Sequence, residues 1–221
     1  MPGSKHRDVK ICGLKDARAI DAAAAAGADM LGFVFFPASP RAVTPAEAGA
    51  LLAGRSGGPL CVGLFVDADD AQLAETLAAA PLDILQLHGS ETPARCAAIR
   101  ARFGLPVMKA LGIATRADLA LLPEYAPVVD RLLLDAKPAP DAPLPGGNAH
   151  PFEWSLLSGE AVPRPWLLAG GLTPGNVTRA IRAAGAPGVD VSSGVESARG
   201  VKDAGLIRAF VSAVRDMPDT P

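Results

Sequence analysis

The sequence predicts an α/β protein built as a single (β/α)8 barrel of the TIM type, and three observations support this prediction. Short apolar, β-branched runs alternate with alanine-rich helical segments along the whole chain, which is the pattern of consecutive βαβ units. Eight such runs can be counted, and no polar linker divides them. The length of 221 residues suits a barrel made in one piece.

Each predicted strand ends in a cluster of Gly, Pro, Asp, Ser or Thr and is followed by a helical segment. The strands are predicted to begin near Val9, Met30, Leu60, Ile84, Pro106, Arg131, Trp166 and Gly188. An open, doubly wound sheet is the alternative architecture. The number of strands and the lack of a Gly-x-Gly-x-x-Gly motif after the first strand favour the closed barrel.

Capping residues mark the predicted ends of the helices. A side-chain oxygen that can accept hydrogen bonds from unpaired N–H groups precedes six of them, in some cases followed by proline. These starts are Asp16, Thr44-Pro45, Asp69, Thr92-Pro93, Thr115 and Thr173-Pro174. Gly27, Gly104 and Gly185 are placed to end helices. We expect one domain over residues 1–221, with short frayed ends of about 1–8 and 216–221.

The composition argues against several functional classes. Hydrophobic residues make up 49% and charged residues 20%, with a net charge of −2, so neither disorder nor a basic nucleic-acid-binding surface is indicated. Charged residues and glycines interrupt every apolar run before the ~18 residues of a membrane span. The basic residues near the start precede no apolar segment of a secretory signal. We therefore expect a cytoplasmic protein without membrane or nucleic-acid partners.

The three cysteines indicate a reducing compartment. Cys12, Cys61 and Cys96 form neither an even framework nor a Cys-x-x-Cys pair, which argues against disulfides and structural zinc. Cys61 and Cys96 are expected to be small buried residues without a chemical role.

Two glycine-containing loops predict a phosphate site. They follow the seventh and eighth strands, where barrels of this type often bind phosphate. The loops read Ala169-Gly170-Gly171-Leu172-Thr173-Pro174 and Ser192-Ser193-Gly194-Val195-Glu196. Glycine allows backbone N–H groups to approach phosphate oxygens closely. Gly170-Gly171 alone could form only a tight turn, but both loops at the expected strands favour phosphate binding.

A thiol and a carboxylate end two of the predicted strands. Cys12 closes the first strand, and Lys10 is expected one layer beneath it because side chains alternate along a strand. Asp190 is expected below the mouth as the partner of Lys10. Asp135 closes the sixth strand after three leucines and should face Cys12 across the mouth. Singly, the cysteine could be a buried filler and the aspartate a turn cap. Together they indicate a base and an acid for proton transfer.

Burial suits the proposed role of the aspartate but opposes the proposed role of the thiol. A buried aspartate has a raised pKa, as an acid needs when its ordinary value is about 3.9. Burial also raises a thiol pKa, whereas a base must lose its proton. Some positive potential must therefore reach Cys12, and either Lys10 or a cationic reaction intermediate can supply it.

Seven short motifs occur in order along the chain. They are Lys10-Ile11-Cys12-Gly13, GFVFFPASPR at 32–41, Gln86-Leu87-His88-Gly89, Leu133-Leu134-Asp135, Gly146-Gly147 with Phe152-Glu153-Trp154, Ala169-Gly170-Gly171-Leu172, and VDVSSGVE at 189–196. Together the sequence resembles the N-(5′-phosphoribosyl)anthranilate isomerases of tryptophan biosynthesis. The match runs from about Val9 to Val214 and is far more specific than any single motif.

The resemblance implies an Amadori rearrangement of an aminoaldose phosphate to 1-(2-carboxyphenylamino)-1-deoxyribulose 5-phosphate, with no metal and no organic cofactor. It implies that Cys12 is the general base at the sugar C2′ and that Asp135 is the general acid at the ring oxygen. Arg41 is expected to hold the anthranilate carboxylate, for which a guanidinium is suited. A lone arginine in such a loop can also be a solvated charge.

The resemblance and the loop chemistry supply the remaining substrate-binding candidates. They are Gln86, His88, Gly147, Gly170, Gly171, Asp190, Ser192, Ser193 and Gly194. For His88, hydrogen bonding to neighbouring loops is the simpler interpretation. The proline- and glycine-rich stretch 137–151 is long enough to be functional, and it departs from the family after Gly147. Either a monomer or a homodimer is compatible with the sequence.

Two other functional classes remain alternatives. Another sugar-phosphate barrel enzyme is one of them, such as a pentose-phosphate epimerase or an indole-forming synthase. The epimerase needs histidine and acidic metal ligands on several strands, yet of His6, His88 and His150 only His88 ends a strand. The second alternative is a barrel that binds a phosphorylated metabolite without converting it. The joint presence of Cys12, Asp135 and Arg41 argues against that class.

Overall fold

The computed structural model describes residues 6–55, 57–137 and 152–218, and a closed parallel barrel forms its centre. The strands are β1 (Asp8–Cys12), β2 (Met30–Val34), β3 (Leu60–Phe65), β4 (Ile84–Leu87), β5 (Val107–Ile113), β6 (Arg131–Ala136), β7 (Trp166–Leu168) and β8 (Gly188–Val191). They follow sequence order around the ring, and β8 pairs with β1 to close it. The predicted fold class is confirmed, and each strand begins within one residue of its predicted start.

Helices cover the outside of the barrel. They are α1 (Ala17–Ala26), α2 (Pro45–Leu52), α3 (Asp70–Ala79), α4 (Pro93–Phe103), α5 (Leu122–Tyr125), α6 (Val177–Ala184) and α7 (Ala204–Arg215). The side chains of Asp16, Thr44, Asp69 and Thr92 accept first-turn N–H groups, as predicted. Gly27, Gly104 and Gly185 end their helices in the left-handed conformation. Across the described parts of the chain, every helix is too short or too polar to span a bilayer.

A helix starts after Thr115 as predicted, but it is a 3₁₀ helix, Arg116–Leu121, because Pro123 fits only the first turn of an α-helix and α5 begins beside it. The predicted helix start at Thr173 is wrong. α6 begins at Val177 and not after Thr173. The reason is that the Asn176 side chain turns back to the preceding loop, where Oδ1 accepts the Thr173 N–H at 2.8 Å.

Residues near both ends of the described chain are held in place by the fold. Asp8 belongs to β1 and pairs with Gly188 of β8, and Met217 is buried against the core. The backbone hydrogen bonds and the apolar contact explain why these residues are fixed.

The hydrophobic core has two parts, as the alternation of side chains along the strands requires. The larger part lies between strands and helices and includes Ile11 of β1, Ile20 of α1 and Phe210 of α7. The smaller part fills the barrel. It consists of Met30, Val62, Ile84, Met108, Ala110, Leu133, Leu167 and Ala169. Because this apolar plug closes the interior, chemistry is confined to the mouth above it.

A short hairpin follows β8 and was not predicted. After the 3₁₀ turn Ser193–Val195, strands β9 (Glu196–Ala198) and β10 (Val201–Lys202) pair antiparallel. Gly200 in the turn has a φ of 78° and lies against Pro40, where a Cβ atom would be 2.6 Å from the Pro40 carbonyl oxygen. The hairpin therefore holds the loop that follows β2.

Gly49→Ala should destabilise the barrel, although alanine is normally the better residue inside a helix. The replacement usually gains about 0.5–1 kcal/mol. Here the added Cβ atom would lie 2.2 Å from the Ala79 carbonyl oxygen at the end of α3, so α2 must move outward. Urea unfolding of Gly49→Ala measures the change in the free energy of unfolding. The exposed neighbour Ala50 is the control, because Ala50→Gly reports the effect of helix propensity alone. A gain in the free energy of unfolding for Gly49→Ala would contradict the close approach of α2 and α3.

Candidate active site

The floor of the mouth is a buried ion pair between the first and last strands. Lys10 is fully buried, and its Nζ lies 2.7 Å from Asp190 Oδ1. The two residues are also register partners in the β1–β8 ladder. Cys12, 4% exposed, lies above Lys10 on the same inward face of β1. This is the arrangement predicted from the alternation of side chains.

The groups around Cys12 shift its pKa in opposite directions. Burial raises the pKa of the Cys12 thiol, Lys10 and Lys202 lower it, Asp190 raises it, and the net result is a raised pKa. For Lys10, burial alone would lower the pKa, but Asp190 and Cys12 raise it above its ordinary value. Lys10 is thus a permanent cation beneath a thiol that keeps its proton at neutral pH when no substrate is bound.

Gly32 of β2 provides the space that the thiol occupies. A Cβ atom at this position would lie 3.0 Å from Cys12 Sγ and 3.1 Å from Lys10 Nζ. Any side chain here would therefore displace the thiol, the ammonium or both. The sequence analysis did not single out Gly32, because only the register between β1 and β2 places it beside Cys12.

Asp135 is the second-to-last residue of β6, which lies three positions from β1 around the ring of eight strands, and it thus faces Cys12 across the mouth. It is 8% exposed, and its Oδ1 accepts the Ala136 N–H at 2.8 Å. Gly170, with a φ of 89°, allows the loop after β7 to pass beside this carboxylate. A Cβ atom on Gly170 would lie 3.2 Å from Asp135 Oδ1 and 2.8 Å from the Ala136 nitrogen.

His88 and Gln86, both predicted substrate-binding residues, form a chain that ends at Asp135. Gln86 Nε2 lies 3.0 Å from His88 Nδ1, and His88 Nε2 lies 3.4 Å from Asp135 Oδ2. If Gln86 donates to Nδ1, a neutral His88 carries its proton on Nε2, facing the aspartate. His88 thus contacts Asp135 and does not bond only to neighbouring loops. The Gln86 Oε1 atom is buried without a partner among the described residues.

The loops after β7 and β8 are packed backbone against backbone. A Cβ atom on Gly194 would lie 1.8 Å from the Leu172 carbonyl oxygen, so only glycine fits at this contact. Within the described ranges, the N–H groups of Gly171, Ser193 and Gly194 donate to no other protein group. Both loops therefore bring unpaired donors to one place, as an anion site requires.

Ser192, another predicted substrate-binding residue, uses its hydroxyl within the protein. Its Oγ donates to the Cys12 carbonyl oxygen at 3.0 Å and accepts from Lys202 Nζ at 3.2 Å. Any contact of Ser192 with an anion must therefore come from its backbone. Gly147 and the rest of the segment 138–151 lie outside the described residues.

Arg41 is buried and held by a carboxylate, so its interpretation as a solvated loop charge is wrong. Its Nε and Nη2 donate to the two oxygens of Glu196 at 2.7 and 3.0 Å. Glu196 also accepts from Lys202 Nζ at 2.8 Å and from the Gly200 N–H at 3.0 Å. Burial alone would raise the pKa of Glu196, but Arg41 and Lys202 lower it to about 2.

The sequence motifs include Glu196 but indicate no role for it, and they do not include Lys202. Lys202 lies outside every motif, and no spacing rule places it beside Glu196. The only signal was indirect: a glutamate directly after a predicted phosphate loop, with basic residues following.

One group within the described ranges has side chains spaced to hold a metal ion, and it lies away from the mouth. His6, Asp8 and Asp29 meet near the start of β1. Both carboxylates already bind cations, since Asp8 lies 2.7 Å from Arg131 and Asp29 lies 2.7 Å from Arg215. The cluster is therefore explained by ion pairing.

Asp190→Asn should lower the pKa of Cys12, because it removes a negative charge that raises this pKa and leaves Lys10 with the thiolate as its neighbouring anion. The thiolate absorbs in the far ultraviolet, so its absorbance against pH gives the pKa of Cys12. The spectrum of the same protein with the additional substitution Cys12→Ser is subtracted to remove the contribution of all other groups. Glu91→Gln is the matched control, since Glu91 pairs with buried Lys109 at 2.7 Å elsewhere. An unchanged or higher Cys12 pKa in Asp190→Asn would contradict the assigned electrostatics.

Comparison with known proteins identifies the family. A family profile described as N-(5′-phosphoribosyl)anthranilate (PRA) isomerase matches residues 9–213. The N-(5′-phosphoribosyl)anthranilate isomerase of Paracoccus denitrificans is 60% identical over 204 residues, which cover 92% of this chain and 95% of the relative.

Solved structures agree with this assignment. A phosphoribosyl anthranilate isomerase in complex with reduced 1-(o-carboxyphenylamino)-1-deoxyribulose 5-phosphate is 31% identical with a TM-score of 0.81, over 96% of this chain and 100% of that chain. Monomers generated from the dimeric isomerase of Thermotoga maritima give 31% identity and a TM-score of 0.80, over 96% of this chain and 100% of that chain. The resemblance seen in the motifs is thereby confirmed, and the chain belongs to the N-(5′-phosphoribosyl)anthranilate isomerase family.

Proposed function

We propose that this protein converts N-(5′-phosphoribosyl)anthranilate to 1-(2-carboxyphenylamino)-1-deoxyribulose 5-phosphate, a step of tryptophan biosynthesis. The observation that carries the proposal is one barrel mouth with a buried thiol, Cys12, facing a buried carboxylate, Asp135. Beside this pair lie an arginine and two glycine loops with unpaired N–H groups. Membership of the isomerase family supports the same reaction.

In this proposal, Asp135 acts first as the general acid. Its carboxyl group protonates the ribose ring oxygen, and the bond between that oxygen and C1′ breaks. The nitrogen lone pair forms a double bond to C1′, which leaves a cationic iminium. His88 Nε2 lies 3.4 Å from Asp135 Oδ2, close enough to stabilise the remaining carboxylate electrostatically.

Cys12 acts second: after its thiol has released its proton to solvent, the thiolate is the general base that removes the proton from C2′. The electrons of the C2′–H bond form the C1′–C2′ double bond and neutralise the iminium, and the resulting enol tautomerises to the ketose. Burial gives Cys12 a raised pKa in the free protein, so the thiolate is disfavoured until a positive charge arrives. The iminium next to C2′ supplies that charge, which favours ring opening before proton abstraction.

Binding is assigned to the two ends of the mouth. The N–H groups of Gly171, Ser193 and Gly194 bind the substrate phosphate, and Gly170 brings its loop beside Asp135. Arg41 binds the anthranilate carboxylate through the donors that Glu196 leaves unused. Gln86 orients His88, and Asp190 holds Lys10. The assignment of Gly147 to substrate binding rests on the sequence alone.

We further propose that the protein works in the cytoplasm as a monomer or homodimer, without metal or organic cofactor.

The other two cysteines have no role in the proposed reaction. Burial raises the pKa of Cys61 and of Cys96 to about 11, so these two thiols are poorly reactive at neutral pH.

Inorganic phosphate should raise the melting temperature of the free protein, because an anion that binds only the native state shifts unfolding by mass action. Calorimetry at increasing phosphate concentration measures the rise. Chloride at equal ionic strength serves as the control. An equal rise with chloride, or no rise with phosphate, would show that the loops after β7 and β8 are not the anchor.

Cys12→Ala and Asp135→Asn should each lower kcat by at least about 10²-fold, the usual contribution of positioned proton transfer. Both variants should keep the phosphate-dependent rise in melting temperature. Loss of substrate fluorescence follows turnover. Wild-type kcat should rise with pH as the Cys12 thiol, whose pKa is raised by burial, loses its proton. Cys12→Ser should remove this rise, because a serine hydroxyl does not titrate in the same range.

Near-normal turnover in Cys12→Ala would exclude Cys12 as the base and direct attention to a carboxylate such as Asp190. A wild-type protein that binds substrate without turnover would instead support the non-catalytic binding barrel.

A further inference from the structure

The guanidinium of Arg41 has two edges that can each bind a carboxylate through two hydrogen bonds, and Glu196 occupies one of these edges. Nε and Nη2 donate in parallel to the Glu196 oxygens, and the two side chains are only 7% and 5% exposed. The remaining donors lie on Nη1 and on the second hydrogen of Nη2, along the adjacent edge. In the described part of the chain, Nη1 has no hydrogen-bond partner and is not among the buried unpaired atoms. That edge is open to a ligand.

Packing on both sides fixes the backbone that carries Arg41. Gly13, directly after Cys12, lies against the Arg41 side chain, and a Cβ atom there would be 2.6 Å from Arg41 Cδ. Gly200 of the β9–β10 turn lies equally close to Pro40. The hairpin that supplies Glu196 thus also supports the loop of Arg41, and both lie beside the strand of Cys12.

A single carboxylate on Arg41 would make a neutral pair with little attraction for a second carboxylate. Lys202 prevents this. Its buried Nζ donates to Glu196 Oε1 at 2.8 Å and to the Ser192 carbonyl oxygen at 2.9 Å. Two cations share one anion, so the cluster of Arg41, Glu196 and Lys202 keeps one net positive charge.

We infer that Glu196 is a positioning residue for substrate selection, which turns the Nη1–Nη2 edge of Arg41 toward the aryl carboxylate, and that Lys202 keeps the cluster positive. The inference rests on the proposed role of Arg41 at that carboxylate. Neither Glu196 nor Lys202 touches the reacting atoms, and both act through Arg41.

The orientation of Arg41 and the net charge of the cluster predict opposite changes in carboxylate affinity for Glu196→Gln. The amide has nearly the shape of the carboxylate but no charge, so the cluster becomes more positive while Arg41 loses its bidentate partner. If only charge mattered, the variant would bind a carboxylate more tightly. If orientation governs, as inferred, it binds a carboxylate less tightly. Lys202→Met keeps the Arg41–Glu196 pair but removes the net charge, and should also weaken carboxylate binding, whereas Lys202→Arg should preserve it.

The experiment compares two inhibitors by calorimetry on the full chain: reduced 1-(2-carboxyphenylamino)-1-deoxyribulose 5-phosphate and the same compound without the carboxyl group. The dissociation constant of the compound without the carboxyl group is divided by that of the compound with it. This ratio measures how much the carboxylate contributes to binding. We expect Glu196→Gln and Lys202→Met to reduce this ratio by at least about tenfold, the lower range for a charge-assisted hydrogen bond. Glu91→Gln is the control. It removes an equally buried Glu–Lys pair between the loop after β4 and strand β5 and should leave the ratio unchanged.

The outcomes separate the two levels of the argument. A wild-type ratio near one would overturn the role of Arg41 on which the proposed function relies. A large wild-type ratio that Glu196→Gln leaves unchanged or increases would overturn the positioning inference alone, and an unchanged ratio in Lys202→Met would overturn the charge role of Lys202. If Glu196→Gln does not fold, Glu196→Asp decides, since it keeps the charge but shortens the side chain. An unchanged ratio there also overturns the inference.

Discussion

The ion pair of Lys10 with Asp190 links the strand that begins the barrel to the strand that closes it, directly beneath the proposed base. Burying two charges is expensive, and removing one partner of such a pair typically costs about 3–5 kcal/mol. An apolar pair could fill the same space, so stability alone does not explain it. What the pair adds is a fixed cation below Cys12, whose charge Asp190 only partly offsets at the thiol.

This arrangement gives the proposed reaction an internal order. A thiol whose pKa burial keeps raised is a poor base in the resting protein, and it is therefore also protected from wasteful reaction with other electrophiles. In the proposed reaction, the carboxyl of Asp135 opens the sugar ring first, and the iminium then both acidifies C2′ and stabilises the thiolate. Glycines make this geometry possible, since Gly32 leaves room for the sulfur and Gly170 lets a loop pass beside the carboxylate.

Sequence periodicity was enough to predict the barrel and the vertical order of Lys10 and Cys12, because alternation along a strand is a local property. Capping residues predicted four helix starts for the same reason. The Arg41–Glu196 contact joins residues 155 positions apart, so no local pattern could reveal it. The start of α6 was missed because Asn176 bonds backward to a loop whose shape depends on the neighbouring strand. The role of Gly32 required the register of β1 against β2.

The distribution of charge around the mouth explains why the two anionic groups of the proposed substrate need different receptors. The phosphate donors are neutral backbone N–H groups, whose dipoles hold an anion without drawing on the nearby cations. Lys10 lies beneath Cys12, whereas Arg41 and Lys202 bind Glu196, and Lys202 also donates to Ser192 beside the loop of the phosphate donors. If the phosphate took one of these cations, the positive potential at Cys12 would fall and its pKa would rise further. Assigning the phosphate to glycine loops thus leaves the side-chain cations free to hold the aryl carboxylate and to stabilise the thiolate.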